Sequence, residues 1–302
     1  MGELARLGTP MMLVRVDAAG RTASILVALL AVTVLLGCGG QDPAGAPATS
    51  ATPDGQQPAG VVAIGHSGLT GESSDPDRPY EKALENSWAT GTNPKVKSIY
   101  LRLSAVRPET KGKVSNWAMG GALAEDLPDQ ARAALADVPA PALVIVQTID
   151  NDIMCDGGDA AHVPEFGEAV AETLTIINEA SPTSKILIVG QPGRPTVAGI
   201  EAEAKRDPAT KTETTGTGPC DFFDPSGTIN SAHVADLRNI IEGYESEQAR
   251  VCAAAQNCST DEGISAAFVE GPDDRILGHW NVAGQGKVAA LFWPAVAPLF
   301  PV

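Results

Sequence analysis

Apolar residues along this chain fall into short, nearly unbroken runs, separated by longer stretches in which they recur every third or fourth position. Runs of strand length lie at Gly60–Ile64, Ala142–Val146, Lys185–Val189 and Ile264–Val269, with a weaker one at Lys113–Trp117. Helical spacing holds over Ala122–Ala136, Phe166–Glu179, Ser231–Ala255 and Val282–Phe292. Short buried strands alternating with helices predict βαβ units with right-handed crossovers. The expected fold is α/β: a three-layer α/β/α sandwich with a mainly parallel sheet. Two polar stretches interrupt the alternation, Thr70–Pro94 and 207–227, and loops of that length in a compact domain are usually functional or disordered.

The pattern begins only after residue 60. Residues 24–37 form an apolar segment preceded by Arg15 and Arg21 and followed directly by Cys38. A transmembrane helix needs about 20 apolar residues, so this segment fits a secretory signal better than a span. Leu35-Leu36-Gly37-Cys38 resembles a bacterial lipobox, which implies cleavage before Cys38 and lipid attachment to that residue. Glu3 and Asp17 interrupt a region that should be basic, which points to Met11 or Met12 as the start. Residues 41–60 are rich in Pro, Gly and Ala and offer nothing to a core. A flexible tether of this length spans roughly 25 Å. The expected organisation is a lipoprotein signal over 1–37, the lipidated Cys38 and tether over 38–59, and one catalytic domain over 60–302. The expected location is the extracytoplasmic face of the cell membrane, with the domain held there by lipid.

Charge narrows the function. The formal net charge is −16, and removing residues 1–37, whose three Arg and two acids carry +1, leaves −17. Nucleic-acid binding and adhesion to anionic lipid both need basic surface, so neither is expected.

Four cysteines remain besides Cys38: Cys155, Cys220, Cys252 and Cys258. An even number in an exported chain predicts two disulfides, with three possible connectivities. Cys252 and Cys258 lie close together after a helical stretch and are paired on that ground, which leaves Cys155 with Cys220. A zinc site is not expected, since no C-x-x-C or neighbouring His supplies ligand spacing. Asp150, Asp152 and Asp156-Gly157 partly match a calcium loop, but Met154 stands where a third oxygen ligand belongs. No metal and no cofactor are expected. His162 and His233 are expected at the surface.

Candidate chemistry sits at three places that follow apolar runs or turn signals. These are Gly65-His66-Ser67-Gly68, Asp150-Asn151-Asp152 and Gly278-His279-Trp280-Asn281. Together they offer a serine nucleophile, an amide donor and a histidine base at the carboxyl edge of a sheet, where open α/β folds bind ligands. A serine hydroxyl attacks a carbonyl at neutral pH only if a base takes its proton, and an imidazole can. The oxyanion that forms must be met by preorganised donors.

In order and separation these residues resemble the SGNH hydrolases, the GDSL esterase and lipase group, over roughly residues 60–300. Asn116 and Gly121 match that family's N-x-x-x-x-G block, and Asn151-Asp152 its N-D block. His279, Asn281, Gly284 and Ala289 match its H-x-N-x-x-G-x-x-x-x-A ending. The cysteine positions also resemble those of secreted actinobacterial members, in support of the pairing above. The resemblance implies an ester hydrolase working through an acyl-serine intermediate, with Ser67 as nucleophile and His279 as base. It implies an oxyanion hole formed by the Ser67 N–H, the Gly121 N–H and the Asn151 amide. A glycine at 121 is expected for close backbone approach to the ligand.

The chain also departs from the family pattern. His66 stands where an aspartate usually precedes the nucleophile, and Trp280 where a proline commonly follows the histidine. The third triad member normally lies three residues before the histidine, at what is here Ile276; Asp273 and Asp274 lie six and five before it. Either Asp274 reaches His279 across a two-residue insertion, or a backbone carbonyl orients the ring; Asp274 is the expected third member. The alternative is a degenerate SGNH-like lipoprotein that binds an acylated glycan or lipid. An α/β-hydrolase elbow, G-x-S-x-G, does not fit, because Leu69 occupies its last glycine. The partner expected is an ester, whether lipid, glycan O-acyl or small molecule.

Overall fold

A computed structural model describes residues 57–206, 208–271 and 273–301. The signal, Cys38 and most of the tether lie outside the described residues. Strands are β1 (Val61–Gly65), β2 (Val114–Asn116), β3 (Leu143–Gln147), β4 (Lys185–Val189) and β5 (Cys258–Thr260), with a hairpin of β6 (Arg275–Ile276) and β7 (His279–Trp280). Helices are α1 (Ile99–Val106), α2 (Leu127–Asp137), α3 (Asp159–Ala180), α4 (Val197–Arg206), α5 (Pro208–Glu213), α6 (Ser231–Ala254) and α7 (Val282–Val296).

The sheet is parallel throughout, in the order β2-β1-β3-β4-β5. Its layers follow from alternation along the strands. Val62, Ile64, Val144, Val146, Ile186 and Ile188 pack against α2, α3 and α6. Val61, Ala63, Leu143, Ile145, Leu187 and Val189 pack against α1 and α7. Both faces are covered, as a parallel sheet requires, and the fold is the expected three-layer α/β/α sandwich. The order reverses at β1, so the carboxyl end of β1 is the switch point where such sheets open a crevice. Ser67 follows β1 directly.

Several expectations are revised. The run at Ile264–Val269 is not a strand but a 3-10 turn over Ile264–Ala267. The Asp261 carboxylate accepts from the Gly263 and Ser265 N–H groups and winds the chain into that turn. The fifth strand lies earlier, at Cys258–Thr260. The expected helix at Ala122–Ala136 starts late, after a 3-10 turn at Ala124–Asp126. The polar stretch over 207–227 contains α5.

Two disulfides tie these elements together. Cys155 is bonded to Cys220, which fastens the loop after β3 to the segment before α6, and Cys252 to Cys258, which fastens α6 to β5.

Candidate active site

Sharp turns at the ends of β1 and β3 deliver the site. The approach of β1 to β3 is so close that a Cβ on Gly65 would fall 1.8 Å from the Gln147 carbonyl oxygen, and Gly65 has φ +140°. Only glycine fits there. Beyond it, Ser67–Leu69 form one 3-10 turn, whose Ser67 carbonyl accepts from the Thr70 N–H and hydroxyl. Asn116, at the end of β2, donates to the Leu69 carbonyl and to Thr90 Oγ1, so it fastens the nucleophile's loop rather than facing the pocket.

After β3 the chain turns with Ile149 at φ +100°, rare and costly for a β-branched residue. Asp152 holds it there. Its carboxylate accepts from Thr148 Oγ1 at 2.6 Å, from the Ile149 N–H at 3.0 Å and from the Ala124 N–H at 2.8 Å. Asn151 Nδ2 donates to the Ala122 carbonyl at 3.0 Å. Two ties therefore join the Asn151 turn to the loop that carries Gly121. A Cβ at Gly121 would meet nothing within 4 Å, so close approach is not what demands glycine; its φ of +76° is.

His279 enters on the β6–β7 hairpin. The two residues between the strands, Leu277 and Gly278, both have positive φ (+49° and +80°), the mark of a type I′ turn. In this turn the Leu277 carbonyl oxygen lies 3.3 Å from His279 Nδ1. Asp274, expected to hold the ring, does not reach it. The hairpin register pairs Ile276 with His279 and Arg275 with Trp280, which leaves Asp274 opposite Asn281 at the start of α7. There its buried carboxylate accepts from the Gly271 N–H at 2.6 Å and from Lys287 Nζ at 2.7 Å. The backbone carbonyl is the group that meets the histidine.

Ser67 and His279 line one pocket at the sheet edge. Among the described residues Ser67 Oγ makes no hydrogen bond with the ring, and His279 Nε2 lies 3.8 Å from Glu72 Oε1. The Glu72 carboxylate also lies beside Gly120, whose Cβ would stand 3.0 Å from Oε2. Glu72 was not foreseen, since nothing marks one acid in a polar loop. Asp150, from the candidate stretch Asp150-Asn151-Asp152, also lines the pocket, as do Gln147, Gln191 and Arg275, which were not foreseen. They sit at strand ends and in the hairpin, and only the strand order brings them together. Arg275 is paired with Glu270 and stacks over the Trp280 ring at 5.2 Å.

His66 is fully buried, and its imidazole Nδ1 accepts from the Gly68 N–H at 3.1 Å. Burial lowers its pKa; the charges of Asp150 and Asp152 oppose this and that of His279 adds to it. Among the described residues no cluster of His, Cys, Asp and Glu is placed to hold a metal ion.

A scan against protein-family models found no match, and neither did a search of curated proteins. Solved structures do match in outline. An extracellular lipase from Streptomyces rimosus is 13% identical, with 79% of this chain and 100% of that one covered at a TM-score of 0.46. LAE5, described as an alpha/beta hydrolase enzyme from the metagenome of Lake Arreo, is 17% identical, with 81% and 98% covered at 0.46. A phospholipase A1 from Streptomyces albidoflavus is 12% identical, with 78% and 98% covered at 0.42. At these values each is a likeness in outline only. The chain's own strand order and layers make a three-layer α/β/α fold, with Ser67 and His279 brought to one pocket at the sheet edge.

Proposed function

We propose that this protein is a serine ester hydrolase that works through an acyl-serine intermediate. In this reading His279, oriented by the Leu277 carbonyl, takes the proton from Ser67 as its Oγ attacks the ester carbonyl, then gives it to the leaving alcohol. Water, deprotonated by the same histidine, releases the acyl group. The Ser67 and Gly121 N–H groups and the Asn151 amide meet the oxyanion. The single observation that supports this most is that Ser67 and His279 line one pocket at the switch point, with the His279 Nδ1 already facing a carbonyl. A carbonyl there favours the tautomer with hydrogen on Nδ1, which leaves Nε2 free to act as base.

Export and lipidation at Cys38 belong to the same proposal and rest on the lipobox-like Leu35–Cys38. A fluorophosphonate probe tests the chemistry: it should label the parent protein at Ser67 and leave Ser67→Ala unlabelled. Absence of labelling, together with retained binding of an acylated glycan or lipid, would favour a degenerate binding protein. An unmodified residue 38 in the mature chain, found by mass spectrometry, would end the anchoring part alone.

A further inference from the structure

The pocket beside Ser67 is unusual in what it lacks and in what it leaves unpaired. Its walls carry no aliphatic side chain among the described residues. Its buried lining includes His66, Gln147, Gln191 and Trp280. Each has one polar atom without a hydrogen-bond partner among the described residues: His66 Nε2, Gln147 Nε2, Gln191 Oε1 and Trp280 Nε1. A buried polar group left unpaired is destabilising, so four in the lining of one small space call for a polar occupant.

The sense of each atom is fixed at its far end. His66 Nδ1 accepts from the Gly68 N–H, so a neutral ring carries its hydrogen on Nε2. Burial favours that neutral ring. Gln147 Oε1 accepts from Trp88 Nε1, which leaves its NH2 as the unpaired donor. Gln191 Nε2 donates to Asp150 Oδ1, which leaves its Oε1 as an acceptor. An indole nitrogen only donates. The set is three donors and one acceptor, with the Asp150 carboxylate close by. A hydroxyl group, which accepts twice and donates once, complements such a set; a methylene satisfies none of it. The space open to the centre of a water-sized sphere is about 30 Å³, room for roughly two waters or a few polar atoms, within a wider opening of about 500 Å³.

We propose that this pocket receives a hydroxyl-bearing arm of the ester, and that the substrate class is esters of a polyol such as a sugar. This rests on the serine-hydrolase reading and narrows it. Sites built to hydrogen-bond a substrate hydroxyl discriminate sharply against analogues lacking it, because the unpaired groups then stay unpaired.

The test compares kcat/KM of the full chain for methyl 6-O-acetyl-glucopyranoside and for cyclohexylmethyl acetate, esters of similar shape with and without ring hydroxyls. The hydroxylated ester should be preferred by at least about 10²-fold. His66→Asn keeps an acceptor near the Gly68 N–H but removes the Nε2 donor, and Gln191→Leu removes the acceptor. Each should shrink the preference by about tenfold or more. Equal turnover of the two esters, abolished in both cases by Ser67→Ala, would overturn this inference and leave the hydrolase standing. A preference that survives both substitutions would also overturn it, since the pocket would not be its source. If neither ester is hydrolysed and the fluorophosphonate fails to label Ser67, the hydrolase reading falls and this inference with it.

Discussion

The Nδ1 atom of His279 faces the carbonyl oxygen of Leu277 at 3.3 Å, and the acid once expected there, Asp274, is bound to Lys287 instead. A serine protease that loses its triad aspartate loses about 10⁴-fold in turnover. Here Asp274→Asn should keep esterase kcat within about tenfold of the parent, since no carboxylate contacts the ring from that side. Steady-state kinetics decide it; a loss near 10⁴-fold would restore Asp274 to the triad.

Ser67→Ala and His279→Ala should each remove nearly all turnover, and the double variant should be little worse than either. Residues that act as one unit are strongly non-additive. Additive losses would mean that the two do not share a step.

Asp152→Asn should lower kcat with little change in KM. Its carboxylate holds the strained Ile149 turn and ties it to the Gly121 loop, so its loss misplaces transition-state donors rather than the ground-state site. A loss of about 10²-fold is expected if the donors shift by about 1 Å. Unchanged kcat in a folded variant would show that Asn151 keeps its place unaided.

Leu277→Asn should raise stability. Leucine in the left-handed region is strained by roughly 1–2 kcal/mol, and Asn-Gly is a preferred pair for a two-residue type I′ hairpin turn. A rise in Tm of a few degrees, with esterase activity retained, is the expected outcome.

Acidification should destabilise the fold through His66. Its folded pKa lies below the ordinary value of 6.5, so between the two the unfolded chain binds more protons. The stabilising difference is fully present above about pH 6.5 and shrinks as pH falls below it. Denaturant titrations of the parent and His66→Asn across that range should show a shallower pH dependence in the variant. Equal slopes would refute this.

Legibility in the sequence followed local signals. The runs that became β1, β3 and β4 each hold at least four consecutive apolar residues, and they were readable because those residues are buried on both faces. The strand β5 was not, since its three residues are only half buried and form no run. The run at Ile264–Val269 misled because one side-chain contact, Asp261 to the Ser265 N–H, outweighs its apolar content; Val269 is 83% exposed. Ser67, Asn151 and His279 stood out through their order and spacing. Glu72, Gln147 and Gln191 could not, because their meeting depends on strand order and loop path. Asp274 was misplaced by counting residues along the chain, where the two-residue turn at Leu277-Gly278 sets the register across the hairpin.

The described chain enters the sheet at the amino end of β1, where the Ala59 N–H is bonded to the Ala140 carbonyl, while Ser67 stands past the carboxyl end of the same strand. Five strand residues span about 17 Å. With a lipid on Cys38, the tether would therefore attach at the pole opposite the pocket. Under the proposed anchoring, the point of attachment and the pocket would lie at opposite ends of β1, so the tether would not cross the mouth.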